Sequence, residues 1–408
     1  MSNQEPTRSG ATDVEVAVVG GGPVGLLTAL LLARAGVDTA LVEKAVDVET
    51  DLRASTFHPP TLDLLDDIGL GQALVAQGLI SPQWQVRLHP EGHRAVFDLG
   101  VIANATRHPF RLQCEQWKLS RLLLAALRAE PSAAILFDTE VFEVELEEER
   151  VTLSLKGAKA PGKLRASYVV GADGARSVVR QALGFAFDGE TYPETTLLAT
   201  TTFPFDEELD GLTNVAYCWT ANGNFSLLRV PGRWRVSIYP REDLPIETQI
   251  TEEAVEASLQ EIVARPAGYE VLERRPYRVH KRIAPHYYRE RVSLAGDAAH
   301  LNSPSGGMGL NGGLHDAFEL VAALREIRAG TPLARRFDLY ERRRRPVALE
   351  QMIAQSDANR SRMREKDPAK RREILAELQA IAANRKRAEA HLLRTSMIAG
   401  LRQAAAVV

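Results

Sequence analysis

The apolar and polar stretches near the start of the chain follow a strand, helix, strand order. Val14–Val19 is a short apolar run rich in β-branched residues, Pro23–Ala35 has the composition of a helix, and Thr39–Val42 is apolar again. Short apolar runs on either side of an apolar helix favour buried parallel strands. The pattern therefore predicts a βαβ unit.

The next part of the chain contains one predicted helix and several predicted strands. Gln116–Ala129 has apolar residues at helical spacing. The strand-like apolar runs that follow are Ala134–Phe137, Val141–Leu146, Val151–Leu155 and Ala166–Val170.

From Phe185 to Pro285 the pattern changes to short strands separated by Gly, Pro and Asn turns, which predicts a second, mainly antiparallel sheet. Its predicted strands are Thr195–Phe203, Asn214–Thr220, Asn224–Val230 and Trp234–Tyr239. Helical patterns return after Gly309, and the prolines at which we expect breaks are Pro332, Pro346 and Pro368.

Composition and charge narrow the classes of partner. A formal net charge of -3 provides no general attraction to nucleic acid or to an anionic membrane. The longest apolar run, Leu26–Ala33, is too short to cross a bilayer. Cys114 and Cys218 are too few and too far apart to suggest a disulfide framework or a metal site. With no apolar segment of a signal peptide in the first thirteen residues, we expect a cytoplasmic monomer or homodimer.

A glycine motif joins the first predicted strand to the first predicted helix. Gly20, Gly22 and Gly25 fit the pattern G-x-G-x-x-G, in which the glycines permit a tight turn, the approach of a pyrophosphate and close packing of helix on strand. Glu43 follows the second strand, where a carboxylate can accept hydrogen bonds from a ribose. The unit is typical of an adenine dinucleotide site, and it does not distinguish NAD from FAD.

Two further motifs place acids after predicted strands. "YVVGADGARSVVRQALG", which begins at Tyr168, carries Asp173 just after an apolar run. "RVSLAGDAAHLNSPSGGMGLNGGLHDAFEL", which begins at Arg291, carries Asp297 in the same position before a glycine-rich turn and a helix. The two acids should therefore point into one crevice.

These three motifs, in this order between residue 14 and about residue 345, resemble the FAD-dependent aromatic hydroxylases of the para-hydroxybenzoate hydroxylase type, the class A flavoprotein monooxygenases. The resemblance implies an α/β fold with a discontinuous Rossmann-like FAD-binding domain, an inserted mainly antiparallel substrate domain and C-terminal helices. The expected boundaries are 14–80, 101–184 and 286–345 for the FAD-binding domain, 81–100 and 185–285 for the substrate domain, and 346–408 for the helical region.

The resemblance also implies which residues bind the cofactor. Asp297 matches the acid that binds the flavin ribitol, Asp173 and Arg180 match a motif that serves FAD and the reduced nicotinamide, and Pro304 matches the loop beside the isoalloxazine ring. The other residues expected at FAD are Gly20, Gly22, Pro23, Val24, Gly25, Glu43, Lys44, Arg53, Gln113, Gly309, Leu310 and Asn311. Many relatives have Gln where this chain has Met308.

The glycine-rich loop has a physical interpretation of its own. Gly306, Gly307 and Gly309 allow backbone to press against a flat ring. The helix that follows would direct its N-terminal N–H groups at the pyrimidine side of the flavin, where its dipole stabilises the anionic reduced form.

The chemistry that the resemblance implies is hydroxylation. NADH or NADPH reduces FAD, O2 adds to form a C4a-hydroperoxide, and its distal oxygen attacks an electron-rich ring in a site that excludes water. No metal is expected, and no general base is identified. Pro304, His58 and Tyr217 are the candidates for the reacting site.

The substrate pocket is expected on the second sheet. Strand alternation places Tyr217 and Trp219 on one face of their strand, and Phe225, Leu227 and Arg229 on one face of the next. If both faces point inward, they form an aromatic pocket with one cation, which suits a planar phenol or hydroxypyridine. An ordinary sheet core is the alternative interpretation.

Other functions remain open at this point. Halogenases share the fold but typically carry W-x-W-x-I-P, and the nearest string here begins at Trp234 and lacks the second Trp. Flavin-dependent lipid reductases and a non-catalytic carrier are further alternatives. Two side chains receive no catalytic role: His300 is expected to pack, and the run Arg342–Arg345 is interpreted as a solvated helix face.

Overall fold

The computed structural model describes residues 12–50, 54–158, 160–221, 223–241 and 244–408. Its strands, in chain order, are β1 (Asp13–Val19), β2 (Thr39–Val42), β3 (Thr56–Phe57), β4 (Leu79–Ser81), β5 (Gln83–Leu88), β6 (Arg94–Asp98), β7 (Arg111–Gln113), β8 (Ala133–Leu136), β9 (Glu140–Leu146), β10 (Val151–Lys156), β11 (Lys163–Gly171), β12 (Asp188–Thr201), β13 (Val215–Trp219), β14 (Asn224–Val230), β15 (Arg233–Ile238), β16 (Val271–Ile283), β17 (Tyr288–Arg289), β18 (Val292–Leu294) and β19 (His300–Leu301).

The α-helices are α1 (Pro23–Arg34), α2 (Pro59–Asp67), α3 (Gly71–Val75), α4 (Gln116–Arg128), α5 (Val178–Ala182), α6 (Phe205–Glu208), α7 (Ile246–Gln249), α8 (Glu252–Gln260), α9 (Gly309–Arg328), α10 (Leu333–Val347), α11 (Ala354–Met363), α12 (Pro368–Ala383), α13 (Arg385–Thr395) and α14 (Ile398–Ala405). Two 3-10 turns, Leu99–Ile102 and Gly296–Ala298, and one π-helical segment, Ala348–Ile353, complete the set.

The first sheet has a parallel centre in the order β18-β11-β1-β2-β8. β1 and β2 consist almost wholly of buried apolar residues, as strands covered on both faces require. α1 connects them, so the predicted βαβ unit is confirmed. β9, β10 and β17 extend the sheet by antiparallel pairing.

The second sheet has the order β19-β16-β12-β15-β14-β13-β5-β6. Its strand pairs are antiparallel except for β5 and β13, which run parallel. One face packs on α8 through a cluster that includes Phe225, Leu227 and Leu259. A smaller three-stranded sheet, β3-β7-β4, completes the β structure.

The C-terminal helices pack on the edge of the second sheet. Trp219 of β13, with its side chain fully buried, shares a core with Leu375, Leu378 and Leu392. Its indole Nε1–H donates to the carbonyl of Met363 at 3.1 Å. The helical region is therefore part of the same packed body as the sheet.

The expected helix break at Pro346 is wrong. α10 continues through Pro346 to Val347, and the π-helical segment Ala348–Ile353 leads directly into α11. Proline has no N–H for the i to i−4 ladder, and a wider helical turn is one way to accommodate this. Pro332 and Pro368, in contrast, stand at the starts of α10 and α12, where a missing N–H costs nothing.

The predicted α/β architecture, with a parallel sheet, an antiparallel sheet and C-terminal helices, is confirmed. The second sheet takes its strands from Gln83–Asp98, from Asp188–Ile283 and from β19. The division into domains stays a prediction. Among the described residues, no helix is both long and apolar enough to cross a membrane.

Candidate active site

Four predicted cofactor positions follow neighbouring parallel strands. Gly20 follows β1, Glu43 follows β2, and Asp173 lies just beyond β11. Asp297 lies just beyond β18, in the Gly296–Ala298 turn, and is exposed. Because the carboxyl ends of parallel strands meet at one edge of a sheet, these positions line a single crevice, as the sequence predicts.

The glycine loop leaves an open cradle at the start of α1. A Cβ on Gly20, whose φ is 109°, would lie 2.3 Å from the Ala172 carbonyl oxygen, and one on Gly25 would lie 1.9 Å from the Gly20 oxygen. Gly22, in contrast, has no atom within 4 Å of such a position. No side chain caps α1 and no acid stands in its first turn, so the loop fits a pyrophosphate.

The Glu43 carboxylate lies against this loop. Its Oε2 accepts a hydrogen bond from the Gly21 N–H at 2.5 Å, and its Oε1 accepts one from the Ala45 N–H at 2.8 Å. The neighbouring Lys44 is exposed. A half-buried carboxylate at the rim of the glycine loop suits a ribose that lies beside the pyrophosphate.

Asp173 and Arg180 brace the second motif. Asp173 Oδ2 accepts from the N–H groups of Val178 and Val179 at 2.7 and 3.2 Å, while Asp173 Oδ1 is buried without a partner among the described residues. Burial raises the pKa of Asp173 against these hydrogen bonds. Arg180 donates to the carbonyl of Ala298 at 2.9 Å and thereby ties this loop to the third motif.

The first and third motifs are in contact. A Cβ on Gly313 would lie 2.7 Å from Val24 Cγ2 and 3.0 Å from Gly296 Cα, and a Cβ on Gly296 would lie 3.0 Å from the same Val24 methyl group. Only residues without side chains allow α9, the Gly296–Ala298 turn and α1 to come this close. Pro23 and Val24 are thus fixed beside Asp297.

A buried ion pair between Asp316 and Arg344 is hydrogen-bonded to the Gly296–Ala298 turn of the third motif. Asp316 accepts hydrogen bonds from Arg344 Nε at 2.7 Å, from His300 Nε2 at 2.7 Å and from the Gly296 N–H at 3.1 Å. Burial alone would raise the pKa of Asp316, but Arg344 and His300 outweigh burial and lower it from 3.8 to about 2. The interpretation of Arg342–Arg345 as a solvated face is therefore corrected, since Arg344 is 1% exposed.

The Asn311 side chain ties the loop that precedes α9 to β3, and Gln113 bonds to the same strand. Asn311 Nδ2 donates to the carbonyls of Thr56 and Gly307 at 2.9 and 2.7 Å, and Asn311 Oδ1 accepts from the His58 N–H at 2.9 Å. Gln113 Oε1 accepts from the Thr56 hydroxyl at 3.0 Å. Gln113 Nε2 is buried and has no partner among the described residues, so it can still donate to a ligand.

Gly309 also makes room inside its own loop, while its predicted place at the flavin stays a prediction. A Cβ on Gly309 would lie 2.9 Å from Asn302 Oδ1, so this glycine makes room for a side chain of its own loop. Pro304 lies on the exposed side of the same loop, and Leu310 is partly buried against the core. α9 begins at Gly309 without a side-chain cap or an acid in its first turn, so its free N–H groups remain available.

His58 is fully buried and bonded to the same loop. Its Nε2 lies 2.8 Å from the Gly306 carbonyl, which makes this nitrogen the donor. Burial, with a smaller contribution from the charge of Arg111, lowers the pKa of His58 to about 3. The ring is therefore neutral near pH 7, and its Nδ1 is buried without a partner among the described residues. A role of His58 in the reaction stays a prediction.

The residues that were predicted to bind the substrate lie on two opposite faces of the second sheet. Tyr217 is directly opposite Ser226 and Cys218 is opposite Phe225, so the Phe225 side chain lies on the other face of the sheet from Tyr217. Because side chains alternate along a strand, Leu227 and Arg229 lie on the same face of the sheet as Phe225. Arg229 pairs there with Asp206 at 2.7 Å. The expectation of one pocket built from both strands is corrected, and Trp219 belongs to the core under the C-terminal helices.

Tyr217 lines a narrow cavity of about 10 Å³ between the second sheet, the glycine-rich loop and α11. The cavity has room for about one water, so an aromatic ring can enter it only when flexible side chains of the lining move. Gly306 and Met308 supply the loop side of this cavity. The remaining lining residues, none of which the sequence analysis selected, are Trp84, Arg111, Asn359, Arg362 and Thr395.

Comparison with known proteins agrees with this geometry. A family model described as FAD binding domain matches residues 13–356, which is more than half of the chain. The chain belongs to this FAD-binding-domain family.

Named relatives and a solved structure extend the match. A para-nitrophenol 4-monooxygenase of Pseudomonas sp. strain WBC-3 is 35% identical over 364 residues, which cover 87% of this chain and 89% of that protein. A 6-hydroxy-3-succinoylpyridine 3-monooxygenase of Pseudomonas putida is 33% identical over 314 residues, 76% of this chain and 79% of that protein. The crystal structure of p-nitrophenol 4-monooxygenase from Pseudomonas putida DLL-E4 is similar with a TM-score of 0.88 and 33% identity, over 95% of this chain and 98% of that one.

The predicted identity as an FAD-dependent aromatic hydroxylase is confirmed by these matches, and the protein is an FAD-dependent aromatic monooxygenase. The open helix end at Gly22, the carboxylate of Glu43 and the Gln113 Nε2 group, which has no partner among the described residues, fit FAD. Arg53, which was also predicted to bind FAD, lies outside the described residues. Which residues contact FAD or substrate stays a prediction.

Only one of the missed cavity residues had a usable sequence signal. Arg111 precedes Gln113 by two residues on β7, and alternation therefore places both side chains on one face. Arg362 lies in a polar stretch of α11 where nothing in the local pattern distinguishes it from Arg360 or Arg364.

Proposed function

We propose that this FAD-dependent monooxygenase oxidises NADH or NADPH and hydroxylates a phenolic or hydroxylated heteroaromatic ring. The observation that carries the proposal is the cavity in which Trp84 and Tyr217 face the loop at Gly306 and Met308. Two aromatic side chains and a backbone loop suit a planar ring. The names of the relatives support the compound class, because para-nitrophenol is a phenol and 6-hydroxy-3-succinoylpyridine is a hydroxypyridine.

When bound, FAD supplies electron transfer from the nicotinamide and activation of O2 as a C4a-hydroperoxide. The chain supplies the surroundings. The His58 ring holds the Gly306 carbonyl, and Asn311 holds the Gly307 carbonyl, so the loop has a fixed shape over the ring site. The uncapped start of α9 favours negative charge, and the narrow cavity has room for no more than about one water.

A substrate screen tests the proposal. Purified enzyme with FAD is mixed with NADH or with NADPH and with a panel of phenols and hydroxypyridines, while cofactor oxidation, hydrogen peroxide and hydroxylated product are measured together. We expect at least one compound to accelerate cofactor oxidation and to give product in excess of peroxide. If every accelerating compound gives only peroxide, the compound acts as an effector and the proposed reaction is rejected.

A further inference from the structure

The cavity is lined by two arginines, Arg111, which is buried, and Arg362, which is partly buried. They differ from the buried Arg336 and Arg344, whose guanidinium groups pair with Glu319 at 2.9 Å and with Asp316 at 2.7 Å. A buried cation is stable when a carboxylate or several acceptors compensate for lost hydration. Arg111 and Arg362 do not have this compensation.

Arg111 is 3% exposed and its cation has few partners. Its guanidinium lies over the Trp84 ring at 5.0 Å, and Tyr217 lines the same cavity. Its Nε has no hydrogen-bond partner among the described residues. Burial lowers the pKa of Arg111, and Tyr217 is the one neighbour that opposes this effect.

Arg362 approaches the same space from α11. One of its terminal nitrogens donates to Asn359 Oδ1 at 2.8 Å, and its Nε is buried without a partner among the described residues. Burial also lowers the pKa of Arg362, again opposed by Tyr217 alone. Tyr217 is therefore close to both guanidinium groups, so both cations face one small volume. Within the described ranges, neither arginine forms an ion pair with a carboxylate.

The nearby histidines, His58 and His391, cannot neutralise the two arginines. The His391 ring stacks on Phe97 at 4.6 Å, and burial together with the charges of Arg362, Arg394 and Arg111 lowers its pKa to about 4. His391 is therefore neutral near pH 7. The cavity carries an excess of positive charge that the protein itself does not neutralise.

We propose that Arg111 and Arg362 bind an anionic oxygen group of the aromatic substrate, either a phenolate or a ring carboxylate, and so select ionised over neutral rings. The inference rests on the proposed function, because the ligand is the substrate of that same site. Planar guanidinium groups match the two oxygens of a carboxylate and also stabilise a phenolate oxygen. With the anion held between α11 and β7, the ring lies between Tyr217 and the Gly306–Met308 loop.

Binding to oxidised holoenzyme tests this without turnover. The titrated probes are two matched pairs at pH 8: 4-nitrophenol, ionised there, against 4-nitroanisole, and 4-hydroxybenzoate against 4-hydroxybenzamide. The flavin absorbance change gives Kd. We expect wild-type enzyme to prefer at least one anion to its neutral partner, and Arg111→Gln and Arg362→Gln each to raise the Kd of that anion about tenfold or more. The Kd of the neutral partner should change less than about threefold.

A matched control uses an arginine with the same stacking geometry elsewhere. Arg265 lies over the Phe203 ring at 5.1 Å on the outer side of the second sheet, so Arg265→Gln should leave every Kd unchanged. If Arg111→Gln and Arg362→Gln weaken the binding of only the phenolate or only the carboxylate, that anion is the one that the two arginines bind. Equal loss for anion and neutral partner, or failure of both anions to perturb the flavin at millimolar concentration, overturns the inference.

A stability measurement separates binding from a structural role. Since each guanidinium has a buried Nε without a partner and no carboxylate partner among the described residues, Arg111→Gln and Arg362→Gln should leave the ligand-free Tm unchanged or raise it. A loss of Tm in both variants comparable with that of Arg344→Met would show that they support the fold and would overturn the inference. Failure of the proposed function is distinguishable, because it would appear as anion binding without hydroxylated product.

Discussion

The buried pair of Asp316 and Arg344 gives the sharpest test of the structure. In Arg344→Met the new side chain can fill similar space, but Asp316 loses its 2.7 Å partner inside a site that is 0% exposed. Removing one partner of a buried pair costs about 3 to 5 kcal/mol. In a protein of this size such a loss corresponds to a decrease in Tm on the order of 3 to 6 °C.

The neighbouring arginine provides the control. Arg342 pairs with Asp338 at 2.7 Å on the surface, with side chains 47% and 54% exposed. An exposed pair at i, i+4 contributes about 0.5 kcal/mol or less, so Arg342→Met should hardly move the Tm. Thermal unfolding of both variants, followed by circular dichroism and by flavin fluorescence, compares two residues of the same four-arginine run.

The contribution of Asp316 to the stability of the fold should depend on pH, because its pKa differs between the folded and the unfolded protein. Its pKa is lowered from 3.8 to about 2 in the folded protein, so its ionisation contributes roughly 2 to 3 kcal/mol. A lowered folded pKa means that this contribution is complete above pH 3.8 and is lost as the pH falls towards 2. The Tm difference between wild type and Asp316→Asn should therefore narrow as the pH is lowered from 5 to 3. Equal Tm values for Arg344→Met and wild type at pH 7 would refute the buried pair.

Three further predictions concern the cofactor side of the site. Glu43→Ala should weaken FAD binding by about 1 to 3 kcal/mol, through lost charge-assisted hydrogen bonds, and an unchanged Kd for FAD would show that Glu43 does not bind the ribose. Gly22→Ala should leave the Tm of the apoprotein unchanged, because its Cβ meets no atom within 4 Å, yet weaken FAD binding; Gly25→Ala should lower the apoprotein Tm, because its Cβ would lie 1.9 Å from a carbonyl oxygen. Equal effects of the two substitutions on apoprotein stability would contradict these roles. His58 should show no titration between pH 5 and 9 in ring-proton NMR spectra, since its pKa is about 3, and a midpoint near 6.5 would disprove its burial against the loop.

Sequence patterns predicted that the three motifs meet at one edge of the parallel sheet, because the signals for each motif are local. The glycine spacing, the apolar strand before it and Glu43 after the next strand all fall within thirty residues. Their geometry follows from chain direction alone, since parallel strands bring their carboxyl ends to one edge. The acids Asp173 and Asp297 were predictable for the same reason.

The substrate side was less predictable because it depends on register between strands. Alternation correctly groups Tyr217 with Trp219 and Phe225 with Leu227, but it does not reveal which face of each strand points inward. Pairing Tyr217 with Ser226 places the two groups on opposite faces, and a slip of one residue would have placed them together. Arg362 comes from α11, far along the chain, and only tertiary packing brings it to Tyr217.

The burial of one charged residue in the run Arg342–Arg345 also depends on tertiary packing. Four consecutive arginines on a helix point in different directions, so the sequence cannot tell which of Arg342–Arg345 faces the core. Arg344 can be buried because the Asp316 carboxylate on α9 accepts a hydrogen bond from its guanidinium. Asp316 also accepts hydrogen bonds from His300 and from the Gly296 N–H. The expected packing role of His300 agrees with these contacts.

Isotope labelling tests the central claim, hydroxylation by an FAD-dependent enzyme, most directly. The holoenzyme, an accelerating phenol or hydroxypyridine and NADH or NADPH are incubated under 18O2 in unlabelled water, and the product is analysed by mass spectrometry. We expect the product to gain one 18O atom on the ring and the label to disappear when the reaction is run under 16O2 in H2 18O. A product whose new oxygen comes from water, or an enzyme that consumes O2 only to form peroxide with every ring compound, would contradict the account.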